Sequence, residues 1–209
     1  GPAAGLRVQV RVSLGTAPEL LVEATLTNTG TRTVNVGVRG PGVTGVRIGA
    51  RAADNYYLFP QCGAVWNNVP VSLEQPFCGL FPVQFLDVYN RRQGGGVWLR
   101  TEDRVGDDRS YTLRRGEDGL TDLGTAYPER PLAPGARRPL VRTLIGVHPG
   151  DWRPALAAYQ TWLRRWYRPV TPRKPWFREI FNFRQRFLWW LDPLYQDGFH
   201  LDRAITEAQ

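Results

Sequence analysis

The sequence predicts a mainly β protein: an antiparallel β-sandwich, followed by a linker helix and an incomplete α/β segment. Three observations carry the prediction. Residues 6–14, 20–26 and 34–38 alternate apolar and polar side chains, the pattern of strands with one covered and one wet face. After Gly150 the apolar spacing changes to that of a helix. From Trp176 onward the chain is too aromatic for a solvated tail.

In the first strand Leu6, Val8, Val10, Val12 and Leu14 share one face, and Arg7, Gln9, Arg11 and Ser13 the other. Leu20, Val22, Ala24 and Leu26 repeat the pattern. Asn28-Thr29-Gly30 supplies turn chemistry, because Asn and Gly tolerate positive φ. Val34, Val36 and Val38 then read as the returning strand of the same sheet. Between Gly40 and Phe81 the motifs Gly40-Pro41-Gly42, Phe59-Pro60, Val69-Pro70 and Gln75-Pro76 indicate edges and loops, since proline has no donor for a ladder. Residues 84–89 read as a strand, Gly94-Gly95-Gly96 as a tight turn and Val97-Trp98-Leu99 as the partner strand. Residues 111–113 form a short strand, the rest of 104–139 reads as charged loop, and 140–147 is a strongly apolar strand.

Pro149-Gly150-Asp151 opens the helix, with Asp151 as N-cap and Pro154 in the first turn. Trp152, Leu156, Tyr159, Leu163 and Trp166 form its apolar stripe, and Pro169, Pro172 and Pro175 end it in a stiff connection. The organisation expected is a sandwich domain over 1–148, a linker helix and Pro-rich connection over 149–175, and the start of a further unit over 176–209.

Composition excludes several classes. With 209 residues, 42% of them hydrophobic, the chain can bury a core and is not globally disordered. No apolar run approaches the roughly 20 residues of a membrane-spanning helix. The net charge is +8, but Lys174 is the only lysine and the arginines are spread along the chain, which argues against a nucleic-acid surface. Cys62 and Cys78 cannot make a four-thiolate zinc site, and either one bridge or two free thiols fits them. His148 and His200 stand outside any metal-binding spacing, no Gly-x-Ser-x-Gly elbow is present, and no glycine-rich loop continues into Lys-Ser/Thr. No metal and no cofactor is expected. There is no methionine and no signal peptide, so the chain reads as processed or cut from something longer, and its compartment stays open.

Among the acids, Asp54, Asp87, Glu102, Asp103, Asp107 and Asp108 are the candidates for a carboxylate pair, but adjacent loop acids fit a solvated turn better and none is assigned a catalytic role. The aromatics are more suggestive. Sugar rings stack their apolar faces on Trp and Tyr while their hydroxyls need polar neighbours. Tyr56, Tyr57, Trp66 and Trp98, together with Asp54 and Asp103, are the candidate carbohydrate-binding residues; core and inter-domain packing is the competing explanation for each ring.

A resemblance rests on the order of short motifs: Asp54-Asn55-Tyr56-Tyr57-Leu58-Phe59-Pro60, Leu86-Asp87-Val88-Tyr89-Asn90, Gly94-Gly95-Gly96-Val97-Trp98-Leu99, Thr101-Glu102-Asp103, Gly150-Asp151-Trp152 with Tyr159 and Trp162, and Pro175-Trp176-Phe177-Arg178-Glu179. In this order, across about 54–209, the chain resembles bacterial glycoside-hydrolase-like proteins classed by a domain of unknown function. These are similar in layout to α-galactosidase-type enzymes. The resemblance implies a supersandwich-like N-terminal domain, a linking helix and the start of a truncated (β/α)8 barrel at 176–209. It also implies further strands before Leu6 and a barrel continuing past Gln209, so the family's catalytic carboxylates have no positions here. The expected role is an accessory sandwich that supports the barrel and shapes a sugar cleft without catalysing alone. Two other roles are open: a stand-alone carbohydrate-binding module, and an interaction or structural protein that docks a partner chain through 176–209.

Overall fold

A computed structural model of the chain describes residues 5–15, 17–61, 64–78 and 81–168. The aromatic segment 176–209 and Cys62 lie outside the described residues; Cys78 is exposed with a free thiol. The alternation predicts an antiparallel, mainly β sandwich, and that is the architecture observed. The larger sheet has eight strands: β1 (Leu6–Leu14), β2 (Glu19–Asn28), β4 (Asn55–Phe59), β5 (Val65–Asn67), β7 (Phe85–Asn90), β8 (Gly95–Thr101), β11 (Arg137–Pro139) and β12 (Thr143–Pro149). Their order is β1-β2-β12-β8-β7-β4-β5, with β11 also pairing with β2. The smaller sheet has four: β3 (Val34–Val46), β6 (Val71–Pro76), β9 (Ser110–Arg115) and β10 (Thr121–Leu132), in the order β3-β10-β9-β6. One helix, α1 (Arg153–Trp166), follows β12.

The main core lies between the sheets. Phe59, Leu86, Val88 and Leu99 from the larger sheet meet Val46, Tyr111, Leu113 and Leu123 from the smaller. The Phe81 ring stacks on Tyr111 at 4.6 Å and meets Phe59 edge-on at 4.8 Å. A second cluster under β2 joins Ala24 and Leu26 to Val36, Tyr127 and Leu132. A third lies on the outer face of the larger sheet, where Leu58, Phe85, Trp98 and Leu144 pack against Ala155 of α1. Tyr159 of α1 stacks over Phe85 at 6.2 Å.

Several sequence expectations change at this level. β3 does not return along β2; it crosses to the other sheet and pairs with β10. Asn28 fixes this corner, because its amide donates to the carbonyls of Arg32 and Leu132 while its carbonyl accepts from the Gly30 amide. The charged stretch after Arg104 is not all loop. It contains β10, a central strand whose Thr121, Leu123, Thr125 and Tyr127 face inward, a pattern masked by Gly124, Pro128 and the charges around them. The proline-punctuated region holds β4, β5 and β6, with proline closing a strand in Pro76 and sitting within β3 as Pro41. The helix stripe is rotated from its predicted place: Ala155, Tyr159 and Trp162 are the buried positions. Trp152 is the N-cap, and Asp151 accepts from the Arg153 amide at 3.0 Å.

The first strand shows the largest departure. β1 is an edge strand, and Val8, Val10, Val12 and Leu14 are 52% to 73% exposed. They occupy the inner face, in register with the buried Leu26, Ala24 and Val22, but the smaller sheet does not extend over them.

Two glycines let the outer face close. A Cβ on Gly146 would lie 2.3 Å from the Trp98 ring, and one on Gly96 would lie 2.1 Å from His148 Nε2 and 2.8 Å from the Val88 carbonyl oxygen. Gly96→Ala therefore displaces a buried side chain and a backbone carbonyl together. It is expected to cost about 1–3 kcal/mol in urea unfolding, whereas Gly15→Ala, with nothing within 4 Å, is expected to be near neutral.

Candidate functional site

On the outer face of the larger sheet, a cleft of about 720 Å³ opens between the β4-β5-β7 end and the β12–α1 corner. Strand parity decides which rings reach it. Tyr56 pairs with Tyr89, and Leu58 pairs with both Trp66 and Asp87, so all five side chains share the outer face. Trp66 is 48% exposed, and its Nε1 donates to the Tyr89 hydroxyl at 2.6 Å. Tyr56 lies between Trp66 at 5.5 Å and Tyr89 at 6.1 Å, and the Arg91 guanidinium sits 5.7 Å from the Tyr56 ring and 5.8 Å from the Trp66 ring. Burial pushes the Tyr89 phenol above its ordinary value, against the opposing bond from Trp66, so it stays neutral.

The walls are set by backbone features. Asn90 Oδ1 accepts from the amides of Arg92 and Gln93 and its amide donates to the Ile48 carbonyl, which fixes the turn carrying Arg91. Gly150 turns the chain from β12 into α1 at φ +72°, a conformation that favours glycine. The turn brings Asp151, Trp152 and Arg153 to the opposite wall, with the Arg153 guanidinium bonded to Asp151 and 5.1 Å above the Trp152 ring. The cleft thus offers the exposed Trp66 ring, two arginines and one carboxylate, groups whose chemistry is ring stacking and hydrogen bonding.

The sequence candidates divide. Trp66 lines the cleft, with Tyr56 packed beside it. Asp54 lies 3.8 Å from Arg51 and 4.0 Å from Arg92, at the end of a single helical turn before β4. Tyr57 points to the opposite face and is buried in the main core, and Trp98 is buried under α1 with Arg100 5.1 Å from its ring. Asp103 is buried too. Its Oδ1 accepts from the amides of Val105 and Gly106, and its Oδ2 from the Asp107 amide and, at 2.5 Å, from Arg109. Burial pushes the Asp103 carboxyl up, but these donors outweigh it and hold the group below the usual carboxylate range. Arg109 also donates to Gln84, Thr101 and Tyr111, and burial pushes the Tyr111 phenol up to about 12. The other acids have cations beside them: Glu102 has Arg100 and Arg142, and Asp107 and Asp108 share Arg130.

Sequence reasoning missed Tyr89, Arg91, Asp151, Trp152 and Arg153 as neighbours of Trp66. One signal was available: in a strand Tyr56 and Tyr57 face opposite sides, so only one of them can reach a given surface. Also missed was the pairing of Asp87 with His148. Their side chains are 0% and 3% exposed and approach to 2.9 Å, off the line of a well-formed hydrogen bond, with Asp87 Oδ1 left without a donor among the described residues. Burial raises the Asp87 carboxyl to about 6, only partly opposed by His148. Burial lowers His148, but the Asp87 contact outweighs it and the net shift is upward. Among the described residues no group of three His, Cys, Asp or Glu is placed to hold a metal ion, and no helix is long and apolar enough to cross a membrane.

No family model and no curated protein matches the chain. Solved structures do. The galactosidase domain of the alpha-galactosidase-sucrose kinase AgaSK aligns with a TM-score of 0.57 at 10% identity, over 71% of this chain and 22% of its own. The alpha-galactosidase from Lactobacillus brevis aligns at 0.57 and 10% identity, over 78% of this chain and 24% of its own. A variant of the GH36 alpha-galactosidase AgaA from Geobacillus stearothermophilus, in complex with stachyose, aligns at 0.55 and 10% identity, over 79% and 26%. At these identities the likeness is one of fold, and the chain spans about a quarter of the length of each protein.

Two outcomes follow from the buried charges. Arg109→Ala leaves Asp103 ionised and 2% exposed without its cation, and is expected to cost about 3–5 kcal/mol in urea unfolding, with part recovered in the Arg109→Ala/Asp103→Ala double variant. Asp87 and His148 both hold their protons more tightly in the folded chain, so the stability they contribute falls as pH rises. The Asp87 part is lost between 3.8 and about 6, and the His148 part above 6.5. The melting temperature of the wild type, relative to Asp87→Asn/His148→Gln, is expected to decline from pH 4 to pH 8; a flat difference would show that the pair does not titrate as described.

Proposed function

We propose that this chain is the accessory β-sandwich region of a glycoside-hydrolase-like protein, where it supports a catalytic barrel and shapes one wall of a carbohydrate cleft. The observation that carries the reading is the open cleft around Trp66, on a sandwich whose fold matches part of several alpha-galactosidases. Structural neighbours hold stachyose and raffinose, which makes galactose-containing oligosaccharides the first ligands to try. In this reading Trp66, backed by Tyr56 and Tyr89, stacks a sugar ring, and Arg91, Asp151 and Arg153 meet its hydroxyls. Tyr57, Trp98 and Asp103 act by packing and Asp54 by fixing the turn before β4. The six acids weighed as a catalytic pair, Asp54, Asp87, Glu102, Asp103, Asp107 and Asp108, each have an arginine or His148 beside them, which supports the view that the chain is not catalytic alone. The division into a sandwich over 1–148, a linker over 149–175 and the start of a barrel over 176–209 belongs to the same proposal.

A second reading, a stand-alone carbohydrate-binding module, is favoured by the exposure of Trp66, 48% open on the cleft. One titration serves both. Raffinose and stachyose added to the chain are expected to change Trp fluorescence with millimolar dissociation constants. Trp66→Ala is expected to weaken binding roughly fivefold, the worth of about 1 kcal/mol of aromatic contact. Absence of any response at 50 mM sugar, with none restored by adding a catalytic barrel, would sink both readings. Turnover of aryl α-galactosides by the chain alone, with a two-carboxylate pH profile, would overturn the accessory role.

A further inference from the structure

The buried Asp87–His148 pair adjoins the cleft and is tied to its wall by a short stretch of chain. On the outer face of the larger sheet, the register sets Leu58, Asp87, Trp98 and Gly146 in one row and Tyr56, Tyr89, Gly96 and His148 in the next. Gly96 carries no side chain, so His148 leans across it to Asp87. Leu58 and Tyr89, beside Asp87 in these rows, line the cleft. After His148 come Pro149, Gly150 and the wall residues Asp151, Trp152 and Arg153.

The contacts of His148 fix where its protons sit. Nδ1 lies 3.0 Å from the Pro149 carbonyl oxygen, which can only accept, so Nδ1 carries a proton. A neutral imidazole then turns a bare Nε2 toward Asp87 Oδ2, 2.9 Å away. Two lone pairs do not hold that distance; the contact needs one proton, on Nε2 or on the carboxyl. With that proton the pair is neutral, whichever side holds it. Without it a full negative charge is buried, and no donor other than His148 reaches either Asp87 oxygen among the described residues.

The surroundings give no counter-charge. β4 presents Leu58, and β7 and α1 present the phenols of Tyr89 and Tyr159, both raised by burial. Arg100, one row along β8, is turned to the Ala158 carbonyl, Glu19 and Glu102. From the turn, Asp151 adds a like charge, and Arg153 is bonded to it. Removing the proton therefore forces a choice. Either Asp87 withdraws from Nε2, or the ring proton moves to Nε2 and the bond to Pro149 is lost. Both break the link from β7 to the turn. Gly150 leaves the turn room to shift, since a Cβ there would meet nothing within 4 Å. Burial pushes the Asp87 carboxyl up to about 6; it lowers His148, but the Asp87 contact outweighs it and the net shift is upward from 6.5. The last proton is thus held below 6.5 and leaves as pH rises above it.

We propose that Asp87 and His148 are a proton-operated support for the cleft wall: the proton between them holds the Pro149–Gly150 turn, and its loss releases Asp151, Trp152 and Arg153. Tighter ligand binding in mildly acidic solution follows if the cleft binds sugar, a clause that rests on the reading above. The test is amide exchange of the full chain at pH 5.5 and pH 8.5, corrected for the intrinsic pH dependence and read in peptides covering 147–153. Protection there is expected to fall at least tenfold at pH 8.5 relative to the rest of the larger sheet. In Asp87→Asn the amide donates to Nε2 without any added proton, so protection is expected to be equal at the two pH values. No fall in the wild type, or the same fall in Asp87→Asn, overturns the proposal. A second check needs no variant at position 87. The NMR titration of His148, assigned with His200→Gln, and the loss of protection are expected to share one midpoint; midpoints more than one pH unit apart overturn the proposal. Raffinose titrations at both pH values separate the two readings. Sugar binding without pH-dependent exchange overturns the support and leaves the cleft reading standing. The reverse upholds the support and counts against the cleft reading.

Discussion

The strand β7 is buried at every one of its residues, and that constraint organises the molecule. An antiparallel strand with both faces dry needs a layer on each side. Leu86 and Val88 are covered by the smaller sheet, and Phe85 by Tyr159 of α1. The helix is therefore the third layer of the sandwich at its centre, more than a connection leading away from it. The same constraint forces the glycines of β8 and β12. With the helix laid over the sheet, Trp98 has room only above Gly146, and His148 reaches Asp87 only across Gly96.

Burying these layers traps charge, and the chain neutralises it locally. Asp103 gathers three backbone amides and Arg109, so residues 103–109 fold around a single carboxylate. Arg100, beneath α1, is shared among the Ala158 carbonyl, Glu19 and Glu102. Buried pairs of this type add little net stability against apolar replacements, but breaking one is costly. Their visible effect is positional: Arg109 ties the loop after β8 to Tyr111 of β9, and Arg100 ties α1 to the larger sheet.

Layers of unequal width explain the two open surfaces. Among the described residues eight strands face four, so no described element covers the inner face at β1, and α1 covers only the middle of the outer face. One bare region is a flat apolar edge; the other is a cleft rimmed by Trp66, Arg91 and Trp152. The fold they share with alpha-galactosidases at 10% identity is set by this layering, which many sequences satisfy, and not by any particular surface residue.

The alternation of β1 and β2, the run at β7, the β7–β8 hairpin and the start of α1 were legible because each is written in local periodicity and turn chemistry. The sequence by itself determined the mainly β class, most strand positions in the first half, and the helix that follows Gly150. Only the tertiary structure decided that β3 belongs to the opposite sheet, that β10 is a strand, and that β1 shows its valines to solvent. It also decided that Tyr56 and Trp66 reach a surface while Tyr57 and Trp98 do not, and that Asp87 meets His148. The physical reason is the same in each case. A period of two tells which residues share a face, but whether that face is covered depends on a layer contributed by residues far away in the chain.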